Sequence, residues 1–125
     1  MEQMDRNIRM VIGGWSVFVL MALLVIGVRG RDHVANMLVF VVIAVAMATW
    51  VARRGSRAAV VTSLILGGLH TLQQIAYLLA GVASDDVDAA EIAVDAVGLA
   101  SGVLLVVGAA RAVTGSRRQR VDATR

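Results

Sequence analysis

The third long apolar segment of this 125-residue chain carries the side chains best suited to chemistry. Polar and small residues recur there at steps of three and four, which places them on one face of a helix. Lipid cannot satisfy the hydrogen bonds of such a face, so on a membrane-spanning helix it must meet protein or a water-filled cavity. This face supplies the first candidate residues of an intramembrane polar site: His70, Gln73, Gln74 and Tyr77.

Asp95 is the charged residue inside the fourth apolar segment, and it is the expected partner of this face. With a rise of about 1.5 Å per residue, Asp95 lies at the level of Gln74 and within reach of His70. We therefore predict that His70, Gln74 and Asp95 meet between the third and fourth helices. An isolated charge is costly at this depth, so Asp95 is expected to be neutral or to be held by His70 and the amide.

Three interpretations of this cluster stay open: hydrogen-bonding groups that hold two helices together, a proton- or ligand-binding site, and ligation of a metal or haem. One buried histidine is too few for a metal or haem, and the chain has no Cys. We therefore expect no metal and no cofactor. The sequence contains no nucleotide-binding loop, catalytic triad or HExxH zinc motif, so we predict no catalytic residue and no enzymatic activity.

The elements that position these residues are four apolar segments. Hydrophobic residues make up 58% of the chain and charged residues 17%, against about a half and a quarter in soluble domains. The segments have the length of about 20 residues that a bilayer core requires. The predicted spans are residues 10–28, 34–52, 58–81 and 92–110.

The connections between these segments are short, so neighbouring helices must run antiparallel. We predict an all-α membrane protein, an up-down bundle of four transmembrane helices in one domain over residues 1–113. Residues 114–125 are expected to form a basic, disordered cytoplasmic tail. Gly67 is expected to pack against a neighbouring helix, and Gly98 and Gly102 form a GxxxG pattern that permits close helix contact.

The distribution of arginine along the chain predicts the orientation of the protein in the membrane. Ten of the 12 arginines lie on the side of the two termini, and positive residues favour the cytoplasmic side. We therefore predict a multi-pass protein of the cytoplasmic (inner) membrane with both termini cytoplasmic and the acidic loop near Asp85 outside. We expect these residues to determine topology first and to bind anionic lipid headgroups second: Arg53, Arg54 and Arg57.

The isoelectric point of about 11.0 suggests nucleic acid as a partner. The basic residues, however, form short clusters beside apolar segments, which is typical of membrane topology. We expect the lipid bilayer and anionic headgroups as partners and no nucleic acid. A homo-oligomer and a larger membrane complex both stay open.

Asp32 is predicted to be the N-cap of the second helix.

Three short stretches carry a resemblance to a known group: Asp32-His33, Arg53-Arg54-Gly55-Ser56-Arg57 and Leu69-His70-Thr71-Leu72-Gln73-Gln74. They resemble small, uncharacterised four-helix integral membrane proteins of actinobacteria, loosely of the DoxX type. Those proteins carry a Pro before this His and a second His one turn later, where this chain has Leu69 and Gln74. The resemblance implies the fold and the membrane location, and no activity.

The sequence thus favours an accessory or structural role in the cytoplasmic membrane, with a polar cluster between the third and fourth helices. The alternative is a small transporter or channel with a proton- or ligand-binding site at His70 and Asp95. The discriminating feature is a cavity that reaches His70, because a closed interface there would indicate purely structural hydrogen bonds.

Overall fold

We describe residues 2–86 and 88–125 in a computed structural model. This part of the chain contains no strand and forms four α-helices, each long and apolar enough to cross a membrane, which confirms the predicted helical class. A 3-10 turn, Arg31–His33, precedes the second helix. The helices are α1 (Glu2–Arg29), α2 (Val34–Arg54), α3 (Arg57–Ala83) and α4 (Ala89–Ala123).

The turn between α2 and α3 is specified by two adjacent residues. Gly55 adopts a left-handed conformation with φ of 49°, and its N–H donates to the carbonyl of Val51 at 2.9 Å. Glycine adopts this conformation without steric cost, so it ends α2. Ser56 then begins α3, because its Oγ accepts from the N–H of Ala59 at 3.3 Å.

The predicted N-cap of α2 was wrong. Asp32 lies inside the 3-10 turn, and His33 occupies the N-cap position without a capping side-chain bond. The reason is Gly30, whose φ of 81° reverses the chain directly after α1. The 3-10 turn then continues directly into α2. Asp32 therefore lies within the turn and not at the N-terminus of α2.

The segment expected to be a disordered tail continues α4 as a helix to Ala123. Arginine and glutamine favour helix, and this stretch contains no proline. The helix is packed against α1 just before this stretch, where a Cβ on Gly108 would lie 3.1 Å from the Cβ of Met10. Residues 114–123 therefore extend a helix that is already packed.

Helices α1 and α4 form the centre of the bundle. Helix α4 packs against α1 and α3, whereas α2 packs mainly against α1 and touches α3 only slightly. We call the end with the termini and residues 53–57 the arginine end, and the end with Asp85, Asp86 and Asp88 the acidic end. The buried residues of α2, which are Ala44, Met47 and Val51, all lie toward the arginine end. The acidic half of α2 therefore leaves a gap beside α3.

Candidate functional site

The gap between α2 and α3 is a groove in the acidic half, with a volume of about 690 Å³. Its floor comes from α1 and α4, and Trp15 and Leu105 lie at its deep end. Apolar side chains form most of its walls, among them Phe18, Met21, Val25, Phe40, Ile43, Leu66 and Leu69. The predicted polar residues His70, Gln73, Gln74, Tyr77 and Asp95 all line it as well.

His70 joins α3 to α4 through one ring nitrogen. Its Nε2 lies 3.0 Å from the Gly98 carbonyl oxygen and 3.0 Å from Ser101 Oγ, and the Ser101 hydroxyl donates to the same carbonyl at 2.7 Å. A carbonyl oxygen only accepts, so this geometry assigns the Nε2 position an N–H that donates. In the neutral ring Nδ1 is then an acceptor, and no protein group in the described chain bonds to it.

The His70 ring is held in place by an aromatic contact. Phe18 of α1 meets it edge-on, with ring centroids 4.6 Å apart and an angle of 65° between the planes. Together with the bonds to α4, this contact fixes the ring from two helices. His70 is therefore a positioned group rather than a mobile one.

Gln74 is buried, with 5% of its surface exposed, and its amide is poorly satisfied. Its Nε2 has only Met21 Sδ at 3.8 Å, and its Oε1 has no hydrogen-bond partner in the described chain. Gly98 makes this placement possible, because a Cβ there would lie 2.7 Å from Gln74 Oε1. A buried carbonyl oxygen without a donor is costly, and native structures rarely contain one.

Asp95 shares the groove but forms no bonded trio with the other two residues. It is 8% exposed, and the described part of the chain shows no hydrogen bond from it to His70 or Gln74. One turn away, Arg29 Nε and Glu91 Oε1 lie 3.7 Å apart. The predicted meeting of His70, Gln74 and Asp95 is thus a shared cavity rather than direct pairing.

Gln73 and Tyr77 lie on the rim of the groove. The Gln73 Nε2 donates to the Tyr77 hydroxyl oxygen at 3.1 Å, and Tyr77 is 44% exposed. The Tyr77 hydroxyl keeps its own hydrogen available as a donor. These two residues therefore form an edge, while His70 and Gln74 form the interior.

The glycines assigned to packing all lie at close helix contacts. A Cβ on Gly67 would lie 2.7 Å from the Cβ of Leu105. One on Gly102 would lie 3.2 Å from the Cα of Thr71 and even nearer to its Oγ1. Helix α3 is thereby held tightly against α4. The arginines of the turn, Arg53, Arg54 and Arg57, are exposed and lie at the other end from the groove.

Sequence reasoning missed two parts of the site. Ser101 follows Gly98 by three residues on the polar face of α4, so the spacing held a signal. Phe18 comes from α1, and nothing in its sequence context indicates contact with His70. Two residues near the acidic end also line the groove: Asn36 and His33, whose buried Nδ1 has no partner in the described chain.

The interior of the groove presents hydrogen-bond acceptors. They come from His70 through Nδ1, from Gln74 through Oε1 and from the carboxyl group of Asp95, in a mostly apolar lining. In the described residues no three His, Asp or Glu side chains are grouped to hold a metal ion. This arrangement suits a molecule that donates hydrogen bonds.

No family model, curated protein or solved structure matches this chain. The resemblance to DoxX-type proteins therefore stays a prediction.

Proposed function

We propose that this chain is an integral protein of the cytoplasmic membrane, crossing it four times in up-down order with both termini cytoplasmic. The support is the length and apolarity of the four helices together with the excess of arginine at one end. A reporter fused after Arg125 is expected to behave as cytoplasmic. Periplasmic activity of that fusion would contradict the orientation.

We further propose an accessory role in which the groove binds a lipid-soluble molecule whose head group donates hydrogen bonds. The observation that carries this proposal is Gln74, a residue that lines the groove and whose buried Oε1 has no hydrogen-bond partner in the described chain. A hydroxyl, amine or amide N–H would satisfy it, and would also reach acceptors on His70 and Asp95. A native structure rarely leaves such an atom unsatisfied without a reason.

The walls of the groove favour a lipid-soluble ligand. Phe40 and Ile43 on α2 and Leu66 and Leu69 on α3 present apolar surface on both sides of the opening. In the proposed membrane, the gap between two outer helices faces the acyl chains. A ligand with an apolar tail could therefore enter from the bilayer while its head reaches the acceptors.

Binding fits the geometry better than passage through the protein. At the deep end of the groove, Trp15 Nε1 donates to Ser63 Oγ at 3.0 Å. The residues beyond this bond are closely packed, with Val11, Val51 and Ala59 all at 0% exposure. The groove thus ends halfway along the bundle, which argues against an open channel.

The structural interpretation of His70 also keeps support, because the two ring nitrogens divide the roles. Nε2 bonds to α4 and holds the helices together, while Nδ1 has no protein partner in the described chain. A structural bond alone would explain the first nitrogen. It would not explain Gln74 Oε1 or the groove beside it.

The test is extraction of bound molecules from protein purified in mild detergent from its native membrane. We expect mass spectrometry to find a lipid-soluble molecule with a hydroxyl or N–H head group, near one per protein. Gln74→Leu should lose it, because Leu keeps the volume and removes the amide. Thr62→Val is the matched control on α3, since that hydroxyl bonds only to its own helix at Ala58. Equal amounts of ligand in both variants would contradict the proposal.

A further inference from the structure

A second cavity lies at the arginine end, away from the groove. It has a volume of about 580 Å³ and lies between the start of α1 and the last third of α4. Arg6 and Asn7 line it from α1, and Arg111, Thr114, Arg118 and Gln119 line it from α4. It exists because α4 continues as a helix beyond residue 113. The disordered tail that the sequence predicted would form no such cavity.

Three arginines line the cavity, and none of them has an acidic partner in the described chain. No carboxylate of the described chain lies within 4.0 Å of Arg6, Arg111 or Arg118, and the ion pair between Arg29 and Glu91 is at the opposite end. The acidic residues on the same two segments, Glu2, Asp5 and Asp122, do not line the cavity. Three like charges around one space repel one another and attract an anion.

The spacing on α4 leaves room for that anion. Arg111 and Arg118 are seven residues apart, which is about two turns and about 10 Å along one face. Gly115 lies between them on this face, and a Cβ there would meet nothing within 4 Å. Arg6 approaches from α1, so the positive groups border the same open space from two helices.

We propose that this cavity binds a phosphate group. Guanidinium groups pair with phosphate oxygens through two parallel hydrogen bonds, and Asn7 and Gln119 add amide donors. Arg6 precedes the first predicted span and Arg111 follows the last, so the cavity lies at the depth of lipid headgroups in the membrane proposed above. The phosphate of an anionic phospholipid is the source that this depth favours, and a soluble phosphate is the alternative source.

The chain supplies its own matched control. Arg9, Arg117 and Arg120 lie at the same end on the same two helices and carry the same number of charges, but they do not line the cavity. A triple variant at Arg6, Arg111 and Arg118 and a control variant at Arg9, Arg117 and Arg120, each with Arg→Gln, remove equal charge from one side. Any effect of general positive charge or of topology is therefore the same in both.

The experiment is native mass spectrometry of the full chain in detergent, titrated with phosphatidylglycerol, with phosphatidylcholine or with inorganic phosphate. We expect phosphatidylglycerol to bind best, about tenfold more weakly in the cavity variant and within about twofold of the parent in the control variant. Inorganic phosphate that competes at millimolar concentration would keep the site and assign it to a soluble ligand. Equal losses in both variants, or none in the cavity variant, would overturn the proposal. Both results are independent of whether a ligand is found in the groove.

Discussion

The two halves of the bundle differ in packing. Toward the arginine end, Val11, Val51, Ala59 and Ala109 have no exposed surface. Toward the acidic end, α2 has no buried residue and a groove separates it from α3. The candidate polar site residues line this open half. The difference indicates that one half maintains the fold while the other is available for a ligand.

The closed half contains contacts that do not depend on the hydrophobic effect. In the proposed membrane, burial of apolar surface would not drive helix association, so close packing of small residues and interhelical hydrogen bonds would have to do so. Gly67 provides the first through its contact with Leu105, and the bond between Trp15 and Ser63 provides the second. Disrupting this half should therefore cost stability, whereas disrupting the open half should change binding.

The largest effect is expected where a side chain is added to the contact between α3 and α4. Gly67→Val should lower the free energy of unfolding by about 3 kcal/mol, because a Cβ would lie 2.7 Å from the Cβ of Leu105. Gly68→Val is the control, since a Cβ on Gly68 meets nothing within 4 Å. Unfolding in detergent, followed by circular dichroism, measures both. Equal destabilisation would show that the close contact does not matter.

The second effect has the opposite sign and belongs to the open half. Gln74→Leu should raise the stability of the ligand-free protein by about 1 kcal/mol, because it removes a buried oxygen without a partner. The same variant should lose the groove ligand, so stability and binding would change in opposite directions. A loss of stability in the ligand-free state would indicate that Gln74 is a structural group after all.

Sequence reasoning predicted the helices and the polar face of α3, because both depend on the local period of hydropathy. It did not predict the groove, since that depends on α2 packing against α1 rather than α3. No local pattern specifies which helices are neighbours when every segment is apolar. Asp95 was predicted to meet His70 from its depth and its face of α4, and neither fixes the exact rotation of α4 that brings Ser101 there instead.

That rotation gives the third prediction, a pair of double-mutant cycles. His70→Leu and Ser101→Ala should be coupled by about 1 kcal/mol, since His70 Nε2 and Ser101 Oγ lie 3.0 Å apart. His70→Leu and Asp95→Leu should be additive within about 0.5 kcal/mol, because no bond joins those side chains in the described structure. Thermal unfolding in detergent measures both cycles. Strong coupling to Asp95 would restore the trio predicted from the sequence.

The smallest effect is expected at the mouth of the groove, where Arg29 and Glu91 connect α1 and α4 at a distance of 3.7 Å. Their side chains are 31% and 47% exposed, so water and salt screen the pair. Arg29→Gln should therefore change stability by less than about 0.5 kcal/mol. Unfolding of the parent and the variant at low and high salt measures this, and the small difference should disappear at high salt. A loss of stability above about 1 kcal/mol that persists in salt would mean that the acidic end contributes to holding the bundle together. It would contradict the contrast between a closed half and an open half.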